Sequence, residues 1–269
     1  MTSNTHVDLI SLTEQNGQNR IKSVSKPKLI RKLGSGKWLE LDEIEYTDPV
    51  SNIARRWEVC RRKKNKVSHQ KEPAKEVREI IDAVDIHATI IQQTQPIDPQ
   101  IILVIQYRPA IGKYCVEFPS GLIDHPDETP EHAAIRELKE ETGYTGTVKS
   151  VSPPICYEAG LTDSSTRMVC MEIDASLPEN IIPKQQLEED EWSVTVLKVS
   201  IKNLYSTLQE LEKTLAIDSR LYAYALGIHM TQTLLLIKLT DGDCHLVSQH
   251  YFQHQVIPNF NLSIGDKPY

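Results

Sequence analysis

From Lys28 onward the chain carries short runs in which apolar and polar residues alternate: LIRKL, WLELDEIEY and ARRWEVCRR, divided by Gly-Ser-Gly and Asp-Pro turns. Side chains on a strand point to opposite faces with a period of two, so these runs predict a small antiparallel sheet. The polar stretch KKNKVSHQKEPAKEVRE that follows reads as a linker. HATIIQ and IILVIQY are apolar enough for buried strands, with QQTQPIDPQ as the loop between them. Further strands are expected near 114–118, 146–151, 166–173 and 191–196, and helices over 201–215 and 219–229. Strands and helices in this order predict an α/β layered domain.

Residues 1–27 are rich in Ser, Thr, Asn and Gln without periodicity and read as a disordered tail. We divide the rest into a β-domain with its linker (28–72), a main domain (73–229) and an extension (230–269) containing TLLLIKL, for which the residues suggest no role. His245, His250 and His254 in that extension lack a carboxylate or cysteine at ligand spacing, so they read as solitary surface histidines.

The most informative stretch is GLIDHPDETPEHAAIRELKEETGY, residues 121–144. Thr129 offers an N-cap, Pro130 suits the first helical position, and Gly143 can end the helix. At 3.6 residues per turn, Ala134, Ile135, Leu138 and Thr142 are expected on the face that packs against a sheet. Glu137, Glu140 and Glu141 lie side by side on the neighbouring face. Like charges at this spacing cost a few tenths of a kcal/mol per pair, roughly, on an isolated helix. A hard cation such as Mg²⁺, which takes oxygen ligands and few carboxylates, would offset that cost. Taken alone, the helix reads first as a solvated acidic face partly neutralised by Arg136 and Lys139.

Composition narrows the field of partners. A length of 269 residues suits one main domain with accessory segments, and no apolar run approaches the roughly 20 residues a membrane helix needs. The polar N-terminus lacks a secretory pattern, so cytoplasm or nucleus is the expected compartment. Five scattered cysteines form no zinc or disulfide pattern and are expected as buried free thiols. A net charge of −7 disfavours nucleic acid as a partner but allows a small anionic substrate escorted by metal ions.

The 121–144 segment resembles the Nudix box, matching it at Gly121, Glu128, Arg136, Glu137, Leu138, Glu140, Glu141 and Gly143. Six residues separate Gly121 from Glu128 where the family pattern has five, which leaves Asp127 as an alternative to Glu128. The resemblance implies a Nudix fold, a mixed sheet sandwiched between helices, and hydrolysis of a nucleoside diphosphate linked to another moiety. It also implies Mg²⁺ or Mn²⁺ held by Glu137, Glu140, Glu141 and the Ser120 carbonyl. Arg136 would pair with the leading glutamate and orient the acids.

Beyond the box, GKWLEL, RRWEV, QYRPAIGKYCVEFPSGLID, ICYEAGL and DSRLYAYAL resemble the ADP-sugar pyrophosphatase subfamily, ADP-ribose pyrophosphatases included. That resemblance implies a homodimer that exchanges its N-terminal sheets. Trp38 and Trp57 would sandwich the adenine, although ordinary sheet packing is their other reading. Glu58, Arg62, Arg108, Leu122 and Glu158 match further substrate contacts, with Glu158 where the subfamily carries aspartate. Arg61, Lys63, Lys64 and Lys66 read as a solvated strand end. Glu191 matches a loop acid that acts with Glu140 and Arg136 in catalysis, while Glu188, Glu189 and Asp190 compete for that role or form a plain charged loop. The implied reaction turns ADP-ribose into AMP and ribose 5-phosphate. The alternatives are another nucleoside diphosphate derivative, or a catalytically weak module that binds ADP-ribose.

Overall fold

The computed structural model describes residues 26–63, 81–91, 98–123, 125 and 127–240, except for the side chains of 190 and 236–240. The remainder of the linker, Lys64, Lys66, the three late histidines and Cys244 lie outside these residues.

Nearly continuous apolar runs build the centre of a mixed sheet. Strand β4 (Ala83–Ile91) is AVDIHATII and β5 (Gln100–Arg108) is QIILVIQYR, and both are buried along much of their length. A strand covered on both faces needs apolar side chains on both, which is why strict alternation fades here. Around them lie β6 (Lys113–Glu117), β7 (Ser120–Leu122), β8 (Thr147–Val151), the short β9 (Ile155–Cys156), β10 (Ser165–Asp174), β11 (Thr195–Ser200) and β12 (Ala216–Ile217). The main path runs β12-β6-β5-β4-β10-β8, with β11 beside β5 and β7 beside β4. β10 runs parallel to β4 and β12 parallel to β6, whereas β5 pairs antiparallel with β4, β6 and β11.

Alternation along β5 divides the core into two layers. Ile102 packs with Val84, Ile86 and Val169 against helix α1 (Pro130–Thr142) through Ala133, Ala134 and Leu138. Ile101 and Leu103 face the other way, against α3 (Leu204–Leu211) and α4 (Ser219–Thr240) through Leu204, Leu208, Leu221 and Ala225. The expected sheet between helices is therefore present, together with a three-stranded antiparallel sheet of β1 (Lys28–Ser35), β2 (Leu39–Thr47) and β3 (Ala54–Arg62). No described helix is long and apolar enough to cross a membrane.

The chain divides into two compact units. The three-stranded sheet is joined in one unit by the distant segment Cys156–Ser165, and the mixed sheet with its helices forms the other. Within the first unit, Cys60 N–H donates to the Leu161 carbonyl at 2.9 Å and the Trp57 indole N–H to the Gly160 carbonyl at 3.0 Å.

Several expected elements differ. Residues 191–196 are not one strand: 189–191 form a 3₁₀ turn, capped reciprocally by Glu188 and Glu191, and β11 starts at Thr195. The acidic run satisfies its own backbone locally, whereas TVLKVS has the β-branched residues that suit a ladder. The helix expected over 201–215 is a 3₁₀ turn (Ile201–Asn203) followed by the shorter α3, because the chain must turn to bring Ala216 and Ile217 alongside β6. The last helix runs on past His229 to Thr240, carrying the apolar run TLLLIKL within it. A four-residue helix α2 (Pro178–Ile181) was not anticipated. Of the four described cysteines, all free, Cys115 is buried, but Cys156 is exposed and Cys60 and Cys170 are half-buried, so buried thiols are the exception.

Helix α1 begins and ends as its sequence predicts. The Thr129 hydroxyl accepts from the His132 N–H at 3.3 Å, Pro130 opens the helix, and Gly143 closes it at φ 76°. A Cβ on Gly143 would approach the Lys184 nitrogen to 2.4 Å. The left-handed φ and this close approach together require glycine, so Gly143→Ala is expected to lower stability by roughly 2–4 kcal/mol in urea unfolding. Wild-type stability in that variant would show that Lys184 yields without cost.

Candidate active site

The packing of α1 determines which acids are exposed to solvent. Its buried residues are Ala133, Ala134, Glu137, Leu138, Glu141 and Thr142. The inward stripe is therefore rotated from the expected one: Ala133 is inside, and Ile135 is 40% exposed. The rotation brings Glu137 and Glu141 against β7 while Glu140 stays half-buried.

Gly121 explains how Glu137 fits there. The Glu137 side chain crosses the β7 backbone so closely that a Cβ on Gly121 would sit 1.8 Å from its carboxyl carbon. One residue earlier, the Ser120 N–H donates to Glu141 Oε2 at 3.0 Å. The Ser120–Gly121 dipeptide thus meets both buried acids.

Arg136 joins the helix to the preceding turn. Its Nε donates to Glu128 Oε1 at 2.9 Å and its Nη2 to Glu128 Oε2 at 3.2 Å. Nη1 donates to Glu137 Oε1 at 2.7 Å and to Glu140 Oε2 at 3.0 Å, and Nη2 also reaches the Leu122 carbonyl at 3.0 Å. The open choice between Glu128 and Asp127 is thereby resolved for the pairing role: Glu128 holds the guanidinium. The extra residue in the turn is absorbed before Glu128, and the helix register is untouched.

Burial raises the proton affinity of both inward acids. Glu137 is pushed up to about 7, chiefly by desolvation; Arg136 opposes the shift while Glu140 and Glu191 reinforce it. Glu141 is raised well above the usual carboxylate range, again by burial first, with the Ser120 N–H opposing and Glu137 and Glu191 reinforcing. Glu191 thus acts through its charge on both buried carboxylates. Its own Oε2 accepts the Glu188 N–H at 2.8 Å, which fixes the 3₁₀ turn. The carboxylates and the Ser120 carbonyl are hard oxygen donors that suit a divalent cation, and the uncompensated negative charge is of the sign a cation offsets. As the side chains stand, no three His, Cys, Asp or Glu groups among the described residues converge as an ion site. Arg136 Nη1 takes up Glu137 and Glu140 instead, and the Ser120 N–H takes up Glu141.

The remaining candidates divide between the two units. Arg108 and Leu122 lie with α1, whereas Trp38, Trp57, Glu58, Arg62 and Glu158 lie with the three-stranded sheet. Arg108 is gripped by Glu117 through bonds of 2.8 and 2.6 Å. Sequence reading missed Glu117, although a buried acid in the apolar run YCVEF was a usable signal. Trp38 and Trp57 are 69% and 49% exposed, which does not fit core packing. The Lys37 ammonium sits 4.3 Å above the Trp38 ring, and Trp57 contacts the turn that begins at Glu158. Glu58 and Arg62 share the face of β3 opposite to Trp57, by strand alternation. Arg61 departs from the expected solvated strand end: it is half-buried between Asp42 and Asp163, at 3.6 and 3.5 Å.

Because Glu128 is mostly buried and Arg136 partly so, Glu128→Gln should cost about 1–2 kcal/mol, less than loss of a fully buried partner, since Glu137 and Glu140 still balance the guanidinium. Asp127→Asn should leave thermal unfolding unchanged. The reverse ranking of the two midpoints would return the pairing role to Asp127.

Comparison with known proteins agrees with this geometry. The NUDIX domain model matches residues 83–215. An uncharacterized Nudix hydrolase of Schizosaccharomyces pombe is 38% identical over 196 residues, covering 72% of this chain and 86% of the relative. The ADP-sugar pyrophosphatase of Mus musculus is 34% identical over 198 residues, or 73% of this chain and 84% of that protein. The ADP-ribose pyrophosphatase of Saccharomyces cerevisiae is 30% identical over 217 residues, covering 80% and 87% respectively. Among solved structures, an ADP compounds hydrolase shares the fold with a TM-score of 0.51 at 15% identity, over 82% of this chain and 99% of that one. With the glutamates and arginine of its helix gathered beside Ser120–Gly121, and with relatives aligned along most of their length, this chain belongs to the Nudix hydrolase family.

Proposed function

We propose that the chain hydrolyses ADP-ribose and related ADP-sugars, giving AMP and ribose 5-phosphate from ADP-ribose, and that it works as a Mg²⁺-dependent homodimer. The observation that carries the reading is the pair of buried acids, Glu137 and Glu141, set against Ser120–Gly121 and flanked by Arg136 and Glu140. The names of the murine and yeast relatives support the substrate class. Leu29, Ile30, Trp38, Leu39, Leu41 and Trp57 leave apolar surface exposed on the three-stranded sheet, which supports a second copy as its cover.

Glu137, Glu140, Glu141 and the Ser120 carbonyl would hold the cation. When bound, it supplies neutralisation of the diphosphate charge and acidification of water. The protein's own groups do the rest. Glu191 accepts the proton of the attacking water as the water oxygen bonds to one phosphorus. The bridging P–O bond breaks and its electron pair leaves on the other phosphate. Arg136 keeps Glu137 and Glu140 oriented throughout. Arg108 faces the phosphates with a guanidinium already aligned by Glu117. Trp38 and Trp57 supply stacking faces for adenine, and Glu58, Arg62, Leu122 and Glu158 complete the substrate contacts.

Product analysis with ADP-ribose, ADP-glucose, NADH and diadenosine polyphosphates, with and without Mg²⁺, tests this directly. Metal-dependent AMP and ribose 5-phosphate, strongest with ADP-ribose, is expected. Preferred cleavage of another compound would move the specificity. Absence of cleavage by a folded dimer would sink the enzymatic reading. Glu141→Gln, which keeps shape but removes charge, should cut turnover by at least about 100-fold, beyond what outer-shell partners usually cost, with circular dichroism unchanged. Trp57→Ala should raise KM about tenfold through lost stacking, with kcat nearly constant. The half-exposed indole also donates to the Gly160 carbonyl, so a modest fall in thermal stability of about 1 kcal/mol is expected alongside.

A further inference from the structure

The segment Pro183–Gln186, just after α2, is assigned no part in the chemistry, yet it meets the end of α1 at three points. Gly143 lies against its backbone, so close that a Cβ would come within 2.4 Å of the Lys184 nitrogen. The Gln186 N–H donates to the Glu140 carbonyl at 2.8 Å. The Gln185 side-chain amide donates from Nε2 to the Glu141 carbonyl at 2.6 Å and to the Val194 carbonyl at 3.2 Å.

A helix leaves its last carbonyls without partners inside itself. In α1, Gly143 N–H takes the Lys139 carbonyl, and the next two, on the acid-bearing residues Glu140 and Glu141, go to Gln186 and Gln185. These donors belong to the same stretch that carries the acidic 3₁₀ turn. Beyond that turn, the Val194 N–H bonds the Glu191 carbonyl at 3.0 Å, the Ser193 hydroxyl accepts the Tyr107 N–H at 3.0 Å, and Trp192 leans on Tyr107 with ring centroids 6.5 Å apart. One amide group therefore bridges the helix end and the exit of the turn, closing a loop around Glu191.

We infer that Gln185 is a positioning residue, whose two amide donors tie the turn bearing Glu191 to the carbonyl end of the acid-bearing helix. The inference rests on Glu191 being the proton acceptor. Nothing in the amide touches reacting atoms; it acts by holding the distance between the loop carboxylate and the buried pair. The Glu191 charge, which helps to raise both Glu137 and Glu141, agrees with that placement. The two acceptors are backbone carbonyls on separate elements, so the bridge needs a side chain of this length ending in two N–H bonds. Methionine matches the length without the donors, and asparagine keeps the amide but is a methylene short.

The experiment is a double-mutant cycle in the full chain with ADP-ribose and Mg²⁺, using Gln185→Met, Glu191→Gln and both together. Misplacement of a catalytic group by about 1 Å can cost 10²-fold, so the partial loosening in Gln185→Met is expected to lower kcat about tenfold. KM should stay within about twofold, as for a contact felt after substrate is bound. In the Glu191→Gln background, the same methionine should remove nothing further, because its effect passes through Glu191. Gln185→Asn should fall between wild type and Gln185→Met, and it stands in if the methionine variant does not fold. Unchanged kcat in Gln185→Met, or the same loss whether or not Glu191 is present, overturns the inference and leaves Gln185 a structural cap. Wild-type kcat in Glu191→Gln alone overturns the assignment of Glu191, and the role of Gln185 goes with it.

Discussion

Two carboxylates buried against the backbone of β7 are the constraint around which this site is organised. An isolated carboxylate loses several kcal/mol on leaving water unless charge or hydrogen bonds replace the solvent. Here the replacement is partial. Glu141 has the Ser120 N–H, Glu137 has one nitrogen of Arg136, and both remain harder to ionise than they would be in water. Arg136 spans the turn at Glu128, the helix at Glu137 and Glu140, and β7 at the Leu122 carbonyl. The guanidinium has the planar array of donors needed to satisfy so many acceptors at once, which a lysine ammonium lacks.

That reluctance to ionise connects structure to chemistry. A hydrolase acting on a diphosphate must bring anions together, and a cation of the kind that suits phosphate oxygens would also favour the ionised form of these acids. Gly121 is the backbone condition for this arrangement. Without a side chain there, the Glu137 carboxyl can lie across β7. The family pattern of glycine, arginine and glutamates thus reduces to one packing problem: how to bury negative charge next to main chain.

What could be read from the residues follows the range of the interactions. The caps of α1 were legible because Thr129, Pro130 and Gly143 act on their own backbone within one turn. The apolar runs gave β4, β5 and the layers around them for the same local reason. The inward stripe was displaced, with Ala133 in place of Ile135, because tertiary packing chose to bury Glu137 and Glu141, which a hydrophobicity pattern would never select. Glu191 looked like the start of a strand, whereas it closes a turn whose side-chain caps compete with the ladder, and that competition does not show in composition. Arg61 with Asp163 and Gln185 on Glu141 join positions far apart in sequence, so periodicity carried no trace of them, whereas Glu117 beside Arg108 left its signal as an acid within an apolar run. The long reach of α4 to Thr240 was hidden by the absence of any expected partner for TLLLIKL.

The discontinuous first unit has a consequence in time. Its three strands form local antiparallel pairs, but its remaining piece, Cys156–Ser165, is made about a hundred residues later; Trp57 and Gly160 are 103 positions apart. Contacts of such separation require loop closure before they return any stabilisation, and they slow folding. During synthesis Trp57 and Cys60 must therefore wait for Gly160 and Leu161 while β4 to β8 and α1 are still being made. The order of residues along the chain makes this sheet the first to emerge, yet its unit stays incomplete until β4 to β8 and α1 of the other unit have been made.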